Sequence, residues 1–255
     1  MNALQLPPLW HHDIHDTVAS TLLCCNPSRV EPGHFLLVTA EEQTAGRGQR
    51  GTVWESSPGE NLTFSIGWRD IGVAPRDQFL ISEVCALAVA RTVEEQLRKA
   101  GRSDEVCVKW PNDIYVDSRK ICGMLIEHSL VGHRIDASMA GIGINVNQEH
   151  FTSDAPNPVS LRQLTGCACE RECVLEGFIR GFEEGVSLLR EKLYAQVESD
   201  FAARLFRRKG WHAYRDAEGA FKGEYVGIAR NGILTLRKHD GTTHDYAFKE
   251  VEYVI

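Results

Sequence analysis

Apolar residues along the chain recur with two different periods, and the switches between them mark out the elements. Residues 34–42 (HFLLVTAEE) are rich in apolar and β-branched side chains and predict a strand. Residues 61–68 alternate, with Leu62, Phe64 and Ile66 on one face, and predict another. Across 78–100 the period lengthens to that of a helix. Phe79, Ile81, Val84, Ala88, Val93 and Leu97 form a stripe there, and Gly101 stands where a helix C-cap belongs. Strands are predicted again at 105–109, 113–116, 120–127 and 134–145, the first three separated by Pro111, Asn112, Asp117 and Ser118. A polar connection through Pro156 and Pro158 leads into one long amphipathic helix over about 173–199, with Phe178, Phe182, Val186, Leu189 and Leu193 on its apolar side. From about Lys209 onward, glycines punctuate short alternating runs at 223–229 and 233–237, and Asp240-Gly241 is a hairpin turn. This last pattern predicts a small antiparallel barrel. Several strands with few helices predict an α+β fold rather than a doubly wound sheet, organised as a main domain over 1–208 and a barrel domain over 209–255.

Composition narrows the function. The 255 residues carry a net charge of −7, which argues against a non-specific nucleic-acid binder and leaves room only for a local basic pocket. No apolar run approaches the ~20 residues of a membrane helix. The first sixteen residues have neither a cationic start nor an apolar stretch, which argues against a signal peptide. Of the eight cysteines, Cys85, Cys107 and Cys122 sit in apolar runs as small hydrophobes. Cys167, Cys169 and Cys173 lack the paired spacing of a zinc site. Reduced thiols and a cytoplasmic location are expected.

Three segments carry chemistry. Gln43-Thr44-Ala45-Gly46-Arg47-Gly48-Gln49-Arg50-Gly51 combines glycines, which let backbone N–H groups approach an anion, with arginines suited to phosphate. Gly46, Gly48 and Gly51 fit G-x-G-x-x-G, but no helix start follows, so the dinucleotide reading fails; nor is this a Walker A loop. Lys109-Trp110-Pro111-Asn112-Asp113 places a Lys and a Trp before a tight turn, and Lys120 heads the next apolar strand. A β-turn alone explains Pro, Asn and Asp but not the two residues before them. Gly141-Ile142-Gly143-Ile144-Asn145-Val146-Asn147 ends a buried strand with glycines of the kind that admit a ligand or another backbone.

In this order and at these separations, the three segments resemble the biotin–protein ligase family. The resemblance is specific over about 34–147 and continues more weakly to Tyr246-Ala247-Phe248-Lys249-Glu250-Val251. It implies a mixed sheet flanked by helices, related to one class of aminoacyl-tRNA synthetase, followed by a small β-barrel. It also implies a two-step reaction in which biotin and ATP give biotinyl-AMP, and a lysine of a biotin carboxyl carrier domain then takes the biotin. Lys120 and Arg47 match catalytic positions. Gln43 matches a contact to the biotin ureido group, and Gly123, Gly141 and Gly143 match positions lining the bicyclic ring. Arg47, Gln49, Arg50, Trp54, Asn112 and Asn145 match ATP or adenylate contacts, and Asp113 matches a ligand of Mg2+. No DNA or membrane partner is implied, and a homodimer stays open.

Departures from the family pattern matter. The usual Ser-Thr-Asn near the N-terminus corresponds to Asp16-Thr17-Val18, which retains only Thr17 as a biotin contact; Ser20-Thr21 lies close by. About thirty residues precede the first strand read here, so a ligase without a repressor's helix-turn-helix domain is expected. A lipoate–protein ligase shares fold and chemistry, but the Lys-Trp-Pro-Asn-Asp turn together with Gly-Arg-Gly favours biotin. A non-catalytic paralogue is disfavoured by Arg47 and Lys120. Gln49 stands where many members carry Arg, and a neutral hydrogen bond falls short of a charged one by roughly 1 kcal/mol. Gln49→Arg should therefore slow adenylate dissociation several-fold; an unchanged or faster rate, followed by release of labelled adenylate, would place Gln49 away from the ligand.

Overall fold

A computed structural model describes residues 4–48, 51–152 and 157–254, so Gln49 and Arg50 lie outside the described residues. In chain order the elements are β1 (Trp10–Val18), α1 (Thr21–Cys24), β2 (Phe35–Gln43), β3 (Leu62–Arg69), α2 (Phe79–Lys99), β4 (Val106–Lys109), β5 (Asp113–Val116), β6 (Arg119–Val131), β7 (Arg134–Ile144), α3 (Leu161–Thr165), α4 (Arg171–Arg190), α5 (Tyr194–Ala203), β8 (Trp211–Asp216), β9 (Gly219–Ile228), β10 (Leu234–Lys238), β11 (Thr243–Tyr246) and β12 (Glu252–Tyr253). Seven strands form a mixed sheet in the order β1-β2-β3-β7-β6-β5-β4; β1 and β2 run parallel, and every other pair is antiparallel. The α+β expectation holds.

One face of this sheet is covered by α2 and α4. Helix α2 is apolar nearly all round because it is enclosed by the sheet, α4 and α5. Gly177, Gly181 and Gly185 recur every fourth residue along α4 and face Thr92, Ala88 and Val84 of α2. A Cβ at Gly185 would come within 2.4 Å of the Val84 side chain, so the small residues set how closely the helices approach. Phe178 and Phe182 extend from α4 to meet Phe64, Trp68, Phe35 and Trp10, edge-on in each of these four contacts.

Three expectations need correction. Strand β1 was not anticipated. It is an edge strand, so residues such as His11, Ile14 and Asp16 stay exposed and the alternation is weak. The single helix over 173–199 is two helices, α4 and α5. The chain reverses at Lys192, which has φ +59°, and the Lys192 and Leu193 amides donate to the Leu189 and Leu188 carbonyls. Leu193 accordingly sits outside the apolar stripe and is exposed. The C-terminal strands form an antiparallel sheet in the order β11-β10-β9-β8-β12 that does not close into a barrel. Strand β12 has two residues, paired only with β8, and is not hydrogen-bonded to β11.

The second sheet docks through aromatic and backbone contacts. Trp110 is buried, its indole Nε1 donates to the Gly232 carbonyl (3.0 Å), and its ring meets Phe248 edge-on. The Phe79 amide donates to the Arg230 carbonyl, and Arg230 pairs with Glu198 (2.6 Å) and Asp77. Beside these lies Glu83, buried on α2, with Glu198 on α5, Arg230 in the β9–β10 turn and Tyr225 on β9 as its ionisable neighbours. Burial pushes its carboxyl up to about 8, repulsion from Glu198 adding to this and Arg230 opposing it. In the unfolded chain a Glu loses its proton near ~4.3. Between the two values the folded state holds the extra proton, so stability contributed at low pH is lost as pH rises toward about 8. Urea midpoints of Glu83→Gln should fall less than those of the parent between about pH 5 and 8; parallel profiles would show that Glu83 titrates normally.

Candidate active site

The register of the seven-stranded sheet assembles the site. Ala40, Thr63, Gly143, Gly123, Asp113 and Lys109 are successive partners in one row crossing β2, β3, β7, β6, β5 and β4. Two residues along, and so on the same face, runs Val38, Ser65, Gly141 and Leu125. The rows thus place a glycine floor in the middle of the sheet and a carboxylate and an ammonium at one end. A cavity of about 1110 Å³ lies over this floor, walled on one side by α1 and residues of 43–48 and 52–55 and on the other by Phe248, Val251 and Tyr253 of the second sheet's end.

Trp54 lies on the floor. A Cβ at Gly143 would come within 2.4 Å of the indole, and one at Gly123 within 2.9 Å, so both glycines are required for the ring to sit there. At Gly141 a Cβ would meet Leu22 and Ser65 only at ordinary contact distance. Around Trp54 the loop is held by short-range pairing: Trp54 N–H donates to the Gly46 carbonyl, Gly48 N–H donates to Thr52, and Arg47 bridges Val53. Arg47 is exposed at the cavity rim.

Lys120 and Lys109 divide the charge. The Lys120 ammonium pairs with Asp113 at 2.7 Å and lies 5.8 Å from the Trp54 ring centroid. Its backbone is held from both sides: the Lys120 amide donates to Asn157, and its carbonyl accepts from Val159. Arg119, one residue earlier, is exposed and does not line the cavity. Lys109 sits on the far side of Asp113, its ammonium 5.5 Å and 5.1 Å from the centroids of Tyr115 and Tyr253. Burial holds it below the ordinary lysine range; Asp113 opposes that shift, and Lys120 and Arg207 reinforce it. Asn112 anchors the intervening turn by donating from Nδ2 to the Met124 carbonyl.

Two amides and an indole complete the polar lining. The Gln43 Oε1 accepts from the Thr21 amide (2.7 Å) and hydroxyl (3.1 Å), and Thr21 Oγ1 also bonds Ser65. Asn145 donates from Nδ2 to Val159 (3.1 Å), while its Oδ1 is buried with no partner among the described residues. Trp54 Nε1 is likewise buried and unpartnered. A buried acceptor and a buried donor among the cavity's lining residues are complementary to a ligand that carries both.

Among the described residues, the sequence-based site is gathered here with one exception; Gln49 and Arg50 lie outside them. Gln43, Arg47, Trp54, Asn112, Asp113, Lys120, Gly123, Gly141, Gly143 and Asn145 all line the cavity. Thr17 does not. It still lies within β1, paired with Glu42, whose carboxylate accepts its hydroxyl at 3.3 Å; alternation turns that pair away from the side taken by Gln43. The residues that reach the cavity follow the end of the strand, at Ser20, Thr21 and Leu22. Lys109 was singled out by its turn but not placed in the site, although a three-residue turn already pairs it with Asp113. Phe151 and Tyr253 left no local signal, since distant chain segments bring them in.

Residues 30–147 match the Biotin/lipoate A/B protein ligase family. The bifunctional ligase/repressor BirA of Bacillus subtilis (strain 168) is 30% identical over 93% of this chain and 72% of its own length. The biotin--[acetyl-CoA-carboxylase] ligase of Paracoccus denitrificans is 31% identical over 78% of this chain and 83% of its own. A biotin protein ligase from Aquifex aeolicus, solved in complex with biotin and ATP, shares the fold with a TM-score of 0.74 at 24% identity, covering 94% of this chain and 97% of that one. The sequence matches, on this fold, place the chain among ligases of the biotin/lipoate class. Within that class, the chain belongs to the biotin–protein ligase family.

If Lys120 offsets charge on reacting anions, Lys120→Ala should slow the first step about a hundredfold or more, with little loss of stability. Arg119→Ala should leave the rate unchanged. Normal turnover in the Lys120 variant, measured as pyrophosphate release, would remove Lys120 from the chemistry.

Proposed function

We propose that the chain activates biotin with ATP to biotinyl-5'-AMP and then transfers biotin to a lysine of a biotin carboxyl carrier domain belonging to a biotin-dependent carboxylase. The observation that carries this reading is the meeting of Lys120, Asp113 and Lys109 at the end of a glycine floor covered by Trp54. The first step joins two anions: the biotin carboxylate oxygen bonds to the α-phosphorus as the bond to pyrophosphate breaks. Cations fixed in advance lower that barrier because they need no reorganisation as charge develops. Lys120 is the cation over the carboxylate and α-phosphate, and Arg47 closes from the rim. In the second step the acceptor lysine's amine attacks the acyl carbon, AMP leaves, and the amine's proton is lost.

The substrate contacts follow from which polar atoms remain available. Thr21 holds the Gln43 carbonyl oxygen, so Gln43 offers its amide N–H groups to the ureido carbonyl. Asn145 Oδ1 accepts from the purine amino group, and Trp54 packs on the adenylate. Among the described residues no group of three or more His, Cys, Asp or Glu could hold a metal, so this is no all-protein cage. A single carboxylate does fit Mg2+ that arrives with nucleotide, since that ion takes most of its ligands from phosphate and water. Asp113 would hold it, and the ion would neutralise phosphate charge.

Purified protein should release pyrophosphate from ATP only when biotin is added. Lipoate lacks the ureido ring and would leave the cavity's hydrogen-bonding groups unpaired, so it should bind orders of magnitude more weakly in calorimetry. Pyrophosphate release that ignores biotin, or equal affinity for both acids, would overturn the reading.

A further inference from the structure

Two chain segments flank the part of the cavity that carries the unpartnered Trp54 Nε1 and Asn145 Oδ1: residues 54–61 and residues 145–152. They are knitted together by a ladder of side-chain hydrogen bonds. Asn61 Oδ1 accepts from the Val146 amide (3.0 Å), and its Nδ2 donates to Gln148 Oε1 (2.6 Å). Gln148 is buried; the same Oε1 accepts from the Ser57 amide (3.0 Å). The last rung is Glu55. Its Oε1 accepts from Gln148 Nε2 (3.1 Å), the Thr152 amide (2.9 Å) and the Thr152 hydroxyl (3.2 Å).

The position of that rung gives it a separate role. Glu55 immediately follows Trp54, and Thr152 immediately follows Phe151; both aromatic side chains line the cavity. One carboxylate oxygen therefore ties together the two segments that contribute these aromatic side chains, nearly a hundred residues apart in sequence. The Asn61–Gln148 rungs hold the lower part of the junction without it. We infer that Glu55 is a positioning residue for the nucleotide: although it borders the cavity, its Oε1 is committed to Gln148 and Thr152, and it holds Trp54 and Phe151 in place around the purine rather than bonding a substrate. The inference rests on the ATP-dependent reading above.

Nucleotide binding and turnover test it separately. ATP titrated into the protein alone by calorimetry should bind Glu55→Ala about tenfold more weakly, the loss expected when charge-assisted hydrogen bonds are removed. Biotin affinity should stay within about twofold, because Gln43 and Thr21 are untouched by the ladder. In the pyrophosphate assay KM for ATP should rise while kcat changes little. Glu55→Gln keeps an accepting Oε1 and should recover most of the ATP affinity. Thr152→Ala should weaken ATP binding in the parent but add little in the Glu55→Ala background. Equal loss of biotin and ATP binding, or a fall in thermal stability with ATP binding unchanged, would reduce Glu55 to a structural strut and overturn the proposal. Parent protein that binds ATP but releases no biotin-dependent pyrophosphate would instead count against the ligase reading, and the ATP titrations of the variants would still decide the role of Glu55.

Discussion

Everything in the site depends on the pairing register of β3, β7, β6, β5 and β4. Because side chains alternate faces, a slip of one residue in any pair would carry Gly143, Gly123 or Asp113 to the helix-covered face and bring an apolar side chain up into the cavity. The register is fixed by the opposite face, where Phe64, Ile142 and Met124 are themselves successive partners and belong to the core beneath α2 and α4. The apolar row that stabilises the sheet and the glycine row that admits Trp54 are the two sides of one strand pattern. Packing energy on one face thus positions chemistry on the other.

Charge in the cavity is arranged by the same geometry. Asp113 stands between two lysines held by different means. Lys120 has an ion pair and two backbone hydrogen bonds to the 157–159 segment; Lys109 has two aromatic rings and a desolvated setting. The first arrangement keeps a cation firmly beside its counter-charge. The second keeps a cation poorly solvated, and a poorly solvated cation interacts more strongly with any anion that enters.

Much of this was legible in the sequence, and the failures have identifiable causes. Strands over 34–42 and 61–68, the helix over 78–100 and the turn at 110–112 carried strong local patterns, and all are present with small boundary changes. The motif residues converge on one cavity because each stands at the end of a strand or in a loop beside one. What local pattern could not supply was pairing. Strand β1 is an exposed edge with polar residues on its surface, so its alternation is faint, and without it Thr17 passed for a cavity residue. The break between α4 and α5 carries no Gly or Pro; Lys192 takes up the left-handed conformation because packing on both helices requires a reversal there. Whether five short strands close into a barrel depends on the edges, and a two-residue β12 leaves them apart.

Lys109 and Trp110 are consecutive residues with different tasks: both border the cavity, but Trp110 also inserts its indole against the turn at Gly232. Side chains at adjacent positions share a backbone, so the mobility of one limits the precision of the other. Local opening of the C-terminal sheet would withdraw Tyr253 from Lys109 and the Gly232 carbonyl from Trp110 in a single event. The two sheets are in this sense coupled at one dipeptide, where contacts to the smaller sheet hold a cavity lysine and its neighbour together.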